Sequence, residues 1–259
     1  MQIALIQQAV SAGNKQKNYD RITQLVEQAL TRSPKPDLLI LPELWSTGYA
    51  LADLARIASD EGGEEAEFLG KLARKNGVWF AGGSVAAKTK DGITNRAQII
   101  DRNGLLQGIY DKVHLVPMLN EHKYLTAGSN LCIHEIEGVK FGFAICYDIR
   151  FCEFIRKLAL NGAQAIIVAA EWPLVRLSHW RALLKARAIE NQCYVLAANN
   201  VATGDAPFAG HSVAHGPDGS TLCQFEFQEG VNQVCIETQA VEAIRTAVPV
   251  FKDRRPELY

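Results

Sequence analysis

The sequence predicts an α/β fold of four layers, helix–sheet–sheet–helix, and three observations carry that prediction. Short unbroken apolar runs with strand character, such as Asp37-Leu-Leu-Ile-Leu41 and Ala165–Ala170, alternate with amphipathic helical stretches, as expected of central strands covered on both faces. Turn signals at Asn103-Gly104, Glu137-Gly138 and Pro217-Asp218-Gly219 lie between strand-like segments and mark hairpins. The second half of the chain then repeats the plan of the first. Two halves that each carry helices on one sheet face can bury their bare faces against each other.

Taken in order, Gln2–Gln7 opens as a strand. Asn18 is placed to cap the next helix, where Ile22, Leu25, Val26, Ala29 and Leu30 recur at helical spacing up to Pro34. The run ending at Leu41 gives way to Pro42-Glu43-Leu44-Trp45 and a loop, Ser46-Thr-Gly-Tyr49. Glu64–Asn76 is a second amphipathic helix closed by Gly77, and Val78–Ala87 a strand carrying Gly82-Gly83. Ile93–Asp101 and Leu105–Tyr110 pair as a hairpin. Asp111–Asn130 has no clear periodicity, and a loop of that length is functional or disordered. Its Leu115, Val116, Met118, Leu119, Tyr124 and Leu125 supply the apolar anchoring of an ordered segment.

Leu131–Ile136 and Val139–Ile145 form the next hairpin, followed by an amphipathic helix from Phe151 to Leu160. The strand Ala165–Ala170 ends at Glu171-Trp172-Pro173, and Ser178 is placed to cap a helix reaching about Glu190. Cys193–Ala198, a hairpin of His211–His215 and Thr221–Phe227, a last strand Gln233–Glu237 and a short helix Val241–Ala247 complete the pattern. No flexible linker separates the halves, so residues 1–259 read as one domain, with 250–259 a charged C-terminal tail.

Apolar content of 48% and charged content of 21% suit a globular chain with a full core. With 27 basic against 28 acidic residues, and no basic cluster larger than Lys252, Arg254 and Arg255, nothing suggests a nucleic-acid partner. The amino terminus lacks a basic leader, and no apolar run approaches the roughly 20 residues that span a membrane. The six cysteines, 132, 146, 152, 193, 223 and 235, form no CxxC pairs. They read as reduced thiols of a cytoplasmic protein, not a disulfide frame or zinc site. His114 and His122, eight apart with no carboxylate pattern around them, do not make a metal site, and no metal is expected.

Three buried strands deliver Glu43, Cys146 and Glu171-Trp172 at one end each, and a hairpin delivers Lys112. In mainly parallel layered sheets the carboxyl ends of strands line one crevice. Cys146 falls where an apolar strand meets a helix, so unpaired N–H groups and the dipole favour a thiolate there. On placement alone, a buried structural cysteine and a solvated loop glutamate are the plain alternatives for Cys146 and Glu43. Together the three groups suggest acyl transfer. A thiol with a pKa of about 8.5 is weakly ionised at neutral pH. A glutamate can take its proton and later return one to a leaving amine. A lysine with a backbone N–H, such as that of Tyr147, can hold the charge developing on oxygen.

Leu39-Ile-Leu-Pro-Glu43, Tyr110-Asp-Lys112-Val-His-Leu and Ile145-Cys146-Tyr-Asp-Ile-Arg-Phe151 resemble the three signature blocks of the nitrilase superfamily of carbon–nitrogen hydrolases, in order and spacing. The resemblance runs from the first strand to the tail. It implies an α-β-β-α sandwich, a Glu-Lys-Cys triad without cofactor, a small-molecule amide substrate and a homodimer or higher homo-oligomer. It makes Glu43 the general base and acid, Lys112 the oxyanion stabiliser and Cys146 the nucleophile. Glu121 matches a further glutamate of many members, which orients the lysine or the substrate.

Ser46-Thr-Gly-Tyr49, His179-Trp180, Ala186-Arg-Ala-Ile-Glu-Asn-Gln192, Gly210-His-Ser212 and the tail resemble the omega-amidase branch. That branch deamidates 2-oxo dicarboxylate monoamides such as 2-oxoglutaramate and 2-oxosuccinamate. Glu171-Trp172-Pro173 departs from its common form and is more like a bacterial side branch. The implied reaction is hydrolysis of an amide through a cysteine thioester, releasing ammonia. Alternatives are a deaminated glutathione amidase, an N-carbamoyl amine hydrolase, a non-catalytic nitrilase-fold binding module, and a Cys–His enzyme using His114, His122 or His179. Tyr49, Arg150, Trp172 and Arg176 are the substrate-binding candidates. Arg150 equally suits pairing with an acid, Arg176 a solvated loop charge, and Tyr49 and Trp172 loop packing. The other five cysteines read as structural.

Overall fold

A computed structural model describes residues 1–258 apart from Gly82 and 203–206. In the first part of the chain β1 (Gln2–Gln7), α1 (Lys15–Leu30) and β2 (Leu38–Ile40) are followed by the short α2 (Leu54–Ile57), a two-residue β3 (Ser59–Asp60) and α3 (Gly63–Asn76). Next come β4 (Trp79–Ala81), β5 (Ser84–Thr89), β6 (Gly92–Ile100) and β7 (Leu106–Asp111). The rest holds β8 (Ile133–Ile136), β9 (Val139–Ile145), α4 (Cys152–Leu160), β10 (Ala165–Ala170), α5 (Leu177–Asn191) and β11 (Tyr194–Asn199). It ends with β12 (Val213–His215), β13 (Thr221–Gln224), β14 (Gly230–Cys235) and α6 (Thr238–Ala247).

Among the described residues the strands form two sheets, one ordered β14-β1-β2-β4-β6-β5-β3 with β7 on β6, the other β13-β12-β11-β10-β9-β8. Period-two alternation builds the layers. Ile3, Leu5 and Ile40 of the first sheet pack in one cluster with Phe141, Phe143, Ile167 and Leu196 of the second. Ala4, Ile6, Leu39 and Leu41 face the other way, onto Ile22, Val26 and Ala29 of α1 and Leu69 and Ala73 of α3. Ile155 and Leu158 of α4 and Leu184 of α5 cover the second sheet. The fold is the expected α-β-β-α sandwich. No helix of the described residues is long and apolar enough to cross a membrane.

Local expectations differ from the structure at several points. Asn14, not Asn18, caps α1 through its side chain. Asn18 is buried one turn in, where it binds Ser11 and donates to the Ser46 carbonyl, pinning the loop after Glu43. Ser178 lies inside α5, whose N-cap is Arg176. The expected strand 78–87 is two strands, β4 and β5; of its glycine pair, Gly82 lies outside the described residues. At Gly83 an added Cβ would stand 2.6 Å from Leu41 Cβ, so the close approach of the loops behind Glu43 requires a glycine there. The last strand does not stay with the second half. β14 crosses to pair antiparallel with β1, so the two sequence halves are not the two sheets. Tyr259, the end of the expected tail, lies outside the described residues.

Candidate active site

Strand register brings the candidate residues to one end of the sandwich. β9, β10 and β11 run parallel, pairing Ala169 with Ile145 and Ala170 with Asn199. The next residues along, Cys146, Glu171 and Asn200, therefore emerge side by side from the second sheet. Glu43 follows β2 in the first sheet, which runs parallel to its neighbours β1 and β4. β6 and β7 pair Arg96 with Asp111, which sets Asn95 beside Lys112, and the Lys112 amide donates to the Asn95 carbonyl. The carboxyl ends of buried strands meet in one crevice, as the sequence suggested.

Glu43, Lys112 and Glu121 are each 0% exposed. Lys112 Nζ donates to Glu43 Oε1 at 2.9 Å and Glu121 Oε1 at 2.8 Å. Glu43 also accepts from Asn95 Nδ2 at 2.8 Å and, on Oε2, from the Glu171 amide at 2.7 Å. Glu121 accepts from the Tyr49 hydroxyl at 2.5 Å and the Val116 amide at 2.7 Å. Burial works against the Lys112 charge, but the Glu43 and Glu121 carboxylates outweigh it and raise the lysine above the ordinary ammonium range. Burial, with the charges of Glu121 and Glu43, likewise pushes the Tyr49 phenol up. Leu44, Asn120 and Cys146 all have positive φ, at 42°, 59° and 47°. Left-handed backbone at non-glycine positions thus sits at or beside three of the four candidate catalytic residues, a pattern typical of functional sites.

Cys146 is 6% exposed and opens a five-residue 3-10 segment, Cys146–Arg150, with α4 beginning only at Cys152. The expectation that a helix dipole favours the thiolate is corrected here. Burial raises the thiol well above its ordinary value, the Glu43 and Glu121 charges push the same way, and Lys112 only partly opposes them. A raised thiol needs a base beside it, and Glu43 is the carboxylate whose charge bears most on it. The turn is held by buried Asp148, which accepts from the Ile145 amide at 2.8 Å, the Tyr110 hydroxyl at 2.6 Å and the His114 amide at 3.0 Å. Asp148 so ties the nucleophile turn to the segment that carries Lys112.

Cys146 opens onto a cavity of about 870 Å³, lined by Tyr49, Tyr147, Arg150, Glu171, Trp172 and Phe208 and with Met118, Leu119 and Val175 also on its wall. Tyr49 turns its hydroxyl to Glu121, so its ring, edge-on to Phe208, is what faces the cavity. Trp172 is buried, donates from Nε1 to the Arg176 carbonyl at 2.8 Å and carries the Arg150 guanidinium 4.6 Å from its ring. Among the described residues no carboxylate pairs with Arg150; its polar contact is His179 Nδ1 at 3.5 Å. Arg176 is exposed at the N-cap of α5 and reaches the cavity wall.

The histidines are not brought to the thiol. His114 stacks on Phe151 and binds Asp148 through Nδ1, His122 is exposed, and His179 lies by Arg150. Cys152 and Cys235 are exposed, so they are not the packed structural thiols expected. Sequence reasoning missed Asn95, Asp148 and Asn200. Asn200 carried a signal, since it too directly follows a buried strand. Asn95 looked like any polar residue of an alternating strand, because nothing local marks its side as inward.

The profile of the carbon-nitrogen hydrolase family matches residues 2–246. A 2-oxoglutaramate amidase of Bacillus subtilis (strain 168) is 42% identical over 260 residues, covering 99% of this chain and 98% of that protein. A 2-oxoglutaramate amidase of Paenarthrobacter nicotinovorans is 30% identical, covering 93% and 85%. The crystal structure of XC1258 from Xanthomonas campestris, a CN-hydrolase superfamily protein with an arsenic adduct in its active site, superposes with a TM-score of 0.90 at 30% identity, covering 98% of this chain and 97% of that one. The chain belongs to the carbon-nitrogen hydrolase family and is a hydrolase of carbon–nitrogen bonds.

Proposed function

We propose that the protein is an omega-amidase acting on 2-oxo dicarboxylate monoamides such as 2-oxoglutaramate and 2-oxosuccinamate. The observation that carries this reading is Cys146 beside the buried Glu43–Lys112–Glu121 cluster, at the base of a cavity whose wall holds Arg150, which pairs with no carboxylate among the described residues. Cys146 Sγ attacks the amide carbonyl as Glu43 accepts the thiol proton. The carbonyl oxygen becomes an oxyanion held by Lys112 Nζ and the Tyr147 N–H. Glu43 returns the proton to nitrogen, the C–N bond breaks, ammonia leaves and a thioester remains. Glu43 then takes a proton from water, which attacks the thioester, and the acid and free thiol are regenerated. Glu121 aims Lys112 and draws in the Tyr49 hydroxyl. Arg150, braced on Trp172, takes the distal carboxylate of the substrate, with Arg176 nearer the mouth.

The names of the two amidases similar to this chain support the substrate class. A second reading rests on the cavity, which is mostly apolar and larger than a five-carbon amide needs. It admits a longer amide such as deaminated glutathione. Ammonia release from 2-oxoglutaramate, 2-oxosuccinamate, glutamine, deaminated glutathione and a carbamoyl amine decides. Activity on the first two supports the proposal; activity confined to either of the last two overturns the branch and leaves the family. Family kinship also suggests a cytoplasmic homodimer or higher oligomer, which light scattering on the purified protein tests.

A further inference from the structure

Glu171 has no role in the reaction just described, yet its side chain lies inside the site. It is 2% exposed, directly follows β10 and lines the cavity beside Cys146, Trp172 and Arg150. Its Oε1 accepts from Asn200 Nδ2 at 2.9 Å, and that same nitrogen donates to the Glu43 carbonyl at 2.7 Å. Its Oε2 is buried with no partner among the described residues. Lys112, the cation that acts on it, hydrogen-bonds to Glu43 and Glu121 instead. Burial first, then the negative charge of Glu43, holds this carboxyl well above the ordinary carboxylate range. With Oε1 occupied by an N–H donor, the retained proton belongs on Oε2. A buried donor with nothing to bind costs about 1–3 kcal/mol and calls for a reason. The terminal torsion of a glutamate is soft, so a small turn presents Oε2 to a molecule in the cavity without releasing Oε1.

We propose that Glu171 is a substrate-contacting specificity residue that works as an uncharged hydrogen-bond donor, presenting Oε2–H to an oxygen on the acyl chain of the substrate. This rests on the omega-amidase reading above. Of the oxygens on a 2-oxo dicarboxylate monoamide, the amide oxygen is served by Lys112 and Tyr147 and the distal carboxylate by Arg150. The 2-oxo group is left, and it is an acceptor without hydrogens of its own. A neutral donor suits it, whereas an ionised Glu171 would repel both that oxygen and the distal carboxylate. Glu171 thereby favours the 2-oxo compound over the same amide lacking that oxygen.

The test compares wild type, Glu171→Gln and Glu171→Leu on 2-oxoglutaramate and on glutaramate, its analogue without the 2-oxo oxygen. Glutamine keeps an N–H donor at this position; leucine keeps the bulk and removes the donor. Glu171→Leu is expected to lower kcat/KM for 2-oxoglutaramate about 10–100-fold more than it lowers that for glutaramate, the range of one lost substrate hydrogen bond. The ratio of the two losses separates a lost substrate contact from a general defect, which lowers both alike. Glu171→Gln stays within several-fold of wild type on both. Equal losses on the two substrates, or a Gln variant as impaired as the Leu variant, overturn the proposal while the wild-type activity still stands. A wild-type enzyme inactive on 2-oxoglutaramate overturns the omega-amidase reading, and this inference with it.

Discussion

The main-chain N–H of Glu171 donates to Glu43 Oε2 at 2.7 Å, across 128 residues of sequence and between the two sheets of the sandwich. Glu43 leaves the end of β2 and Glu171 the end of β10, so the bond holds the crevice together at its base. Asn200 adds a second tie through Nδ2. The glutamate proposed to move protons is thus held by a strand of the opposite sheet.

Kinetics should separate the proposed roles. Glu43→Gln is expected to lower kcat/KM by about 10²–10⁴-fold, and Lys112→Ala by at least about 10²–10³-fold. Cys146→Ala should release no ammonia. His114→Asn and His179→Asn should keep most of the wild-type turnover, since Nδ1 of His114 is taken up by Asp148 and that of His179 faces Arg150. A histidine variant as inactive as Cys146→Ala would redirect the mechanism to a Cys–His pair.

Removing Lys112 should also unfold the protein more easily. Lys112→Met leaves Glu43 and Glu121 buried without their shared cation, a change that costs about 3–5 kcal/mol when one partner of a buried pair is lost. Denaturant midpoints measure it. Pairing Lys112→Met with Glu121→Gln should recover part of the loss, and no recovery would mean the two are not coupled.

The raised carboxyl of Glu171 gives a pH signature with a definite sign. The unfolded chain ionises this group from about pH 4.3, while the folded chain keeps the proton because of burial and the Glu43 charge. The stability it contributes is present below that pH and lost as pH rises toward its folded value. Glu171→Gln should therefore melt higher than wild type at pH 7, by about 2–4 °C per kcal/mol released, and the gap should close toward pH 4. Melting curves across that range check it; a gap that widens in acid would contradict the assignment.

Asp148 should matter for stability before chemistry. Asp148→Ala strands the buried Ile145 amide and Tyr110 hydroxyl, at about 1–3 kcal/mol for each unsatisfied group. Lower melting temperature with a matching loss of activity is expected. Unchanged stability would mean the nucleophile turn is held by its neighbours without Asp148.

Thiol chemistry should divide the cysteines by access. Cys152 and Cys235 are exposed, whereas Cys146 is buried with its thiol raised. Iodoacetamide should label the two exposed sites without loss of activity. Inactivation should follow Cys146 alkylation as read by peptide mass. Inactivation that follows Cys152 instead would count against Cys146.

Much of this was legible in the chain. The strand Ala165–Ala170, buried at every position, follows from its unbroken apolar run. So did the polar groups directly after buried strands, because the chain has to turn there. Three signature blocks then marked out the residues that belong together. Tertiary structure decided what those residues meet. Parallel register put Asn200 beside Glu171, and the antiparallel β6–β7 ladder put Asn95 beside Lys112. β14 crossed to the first sheet because β1 had an open edge there, a choice no local pattern announces. The protonation of Cys146 and Glu171 was equally invisible, and the dipole argument for Cys146 pointed the wrong way. Charge state in a buried crevice depends on which charges face it from distant parts of the chain, and only the packed sheets bring those charges within reach.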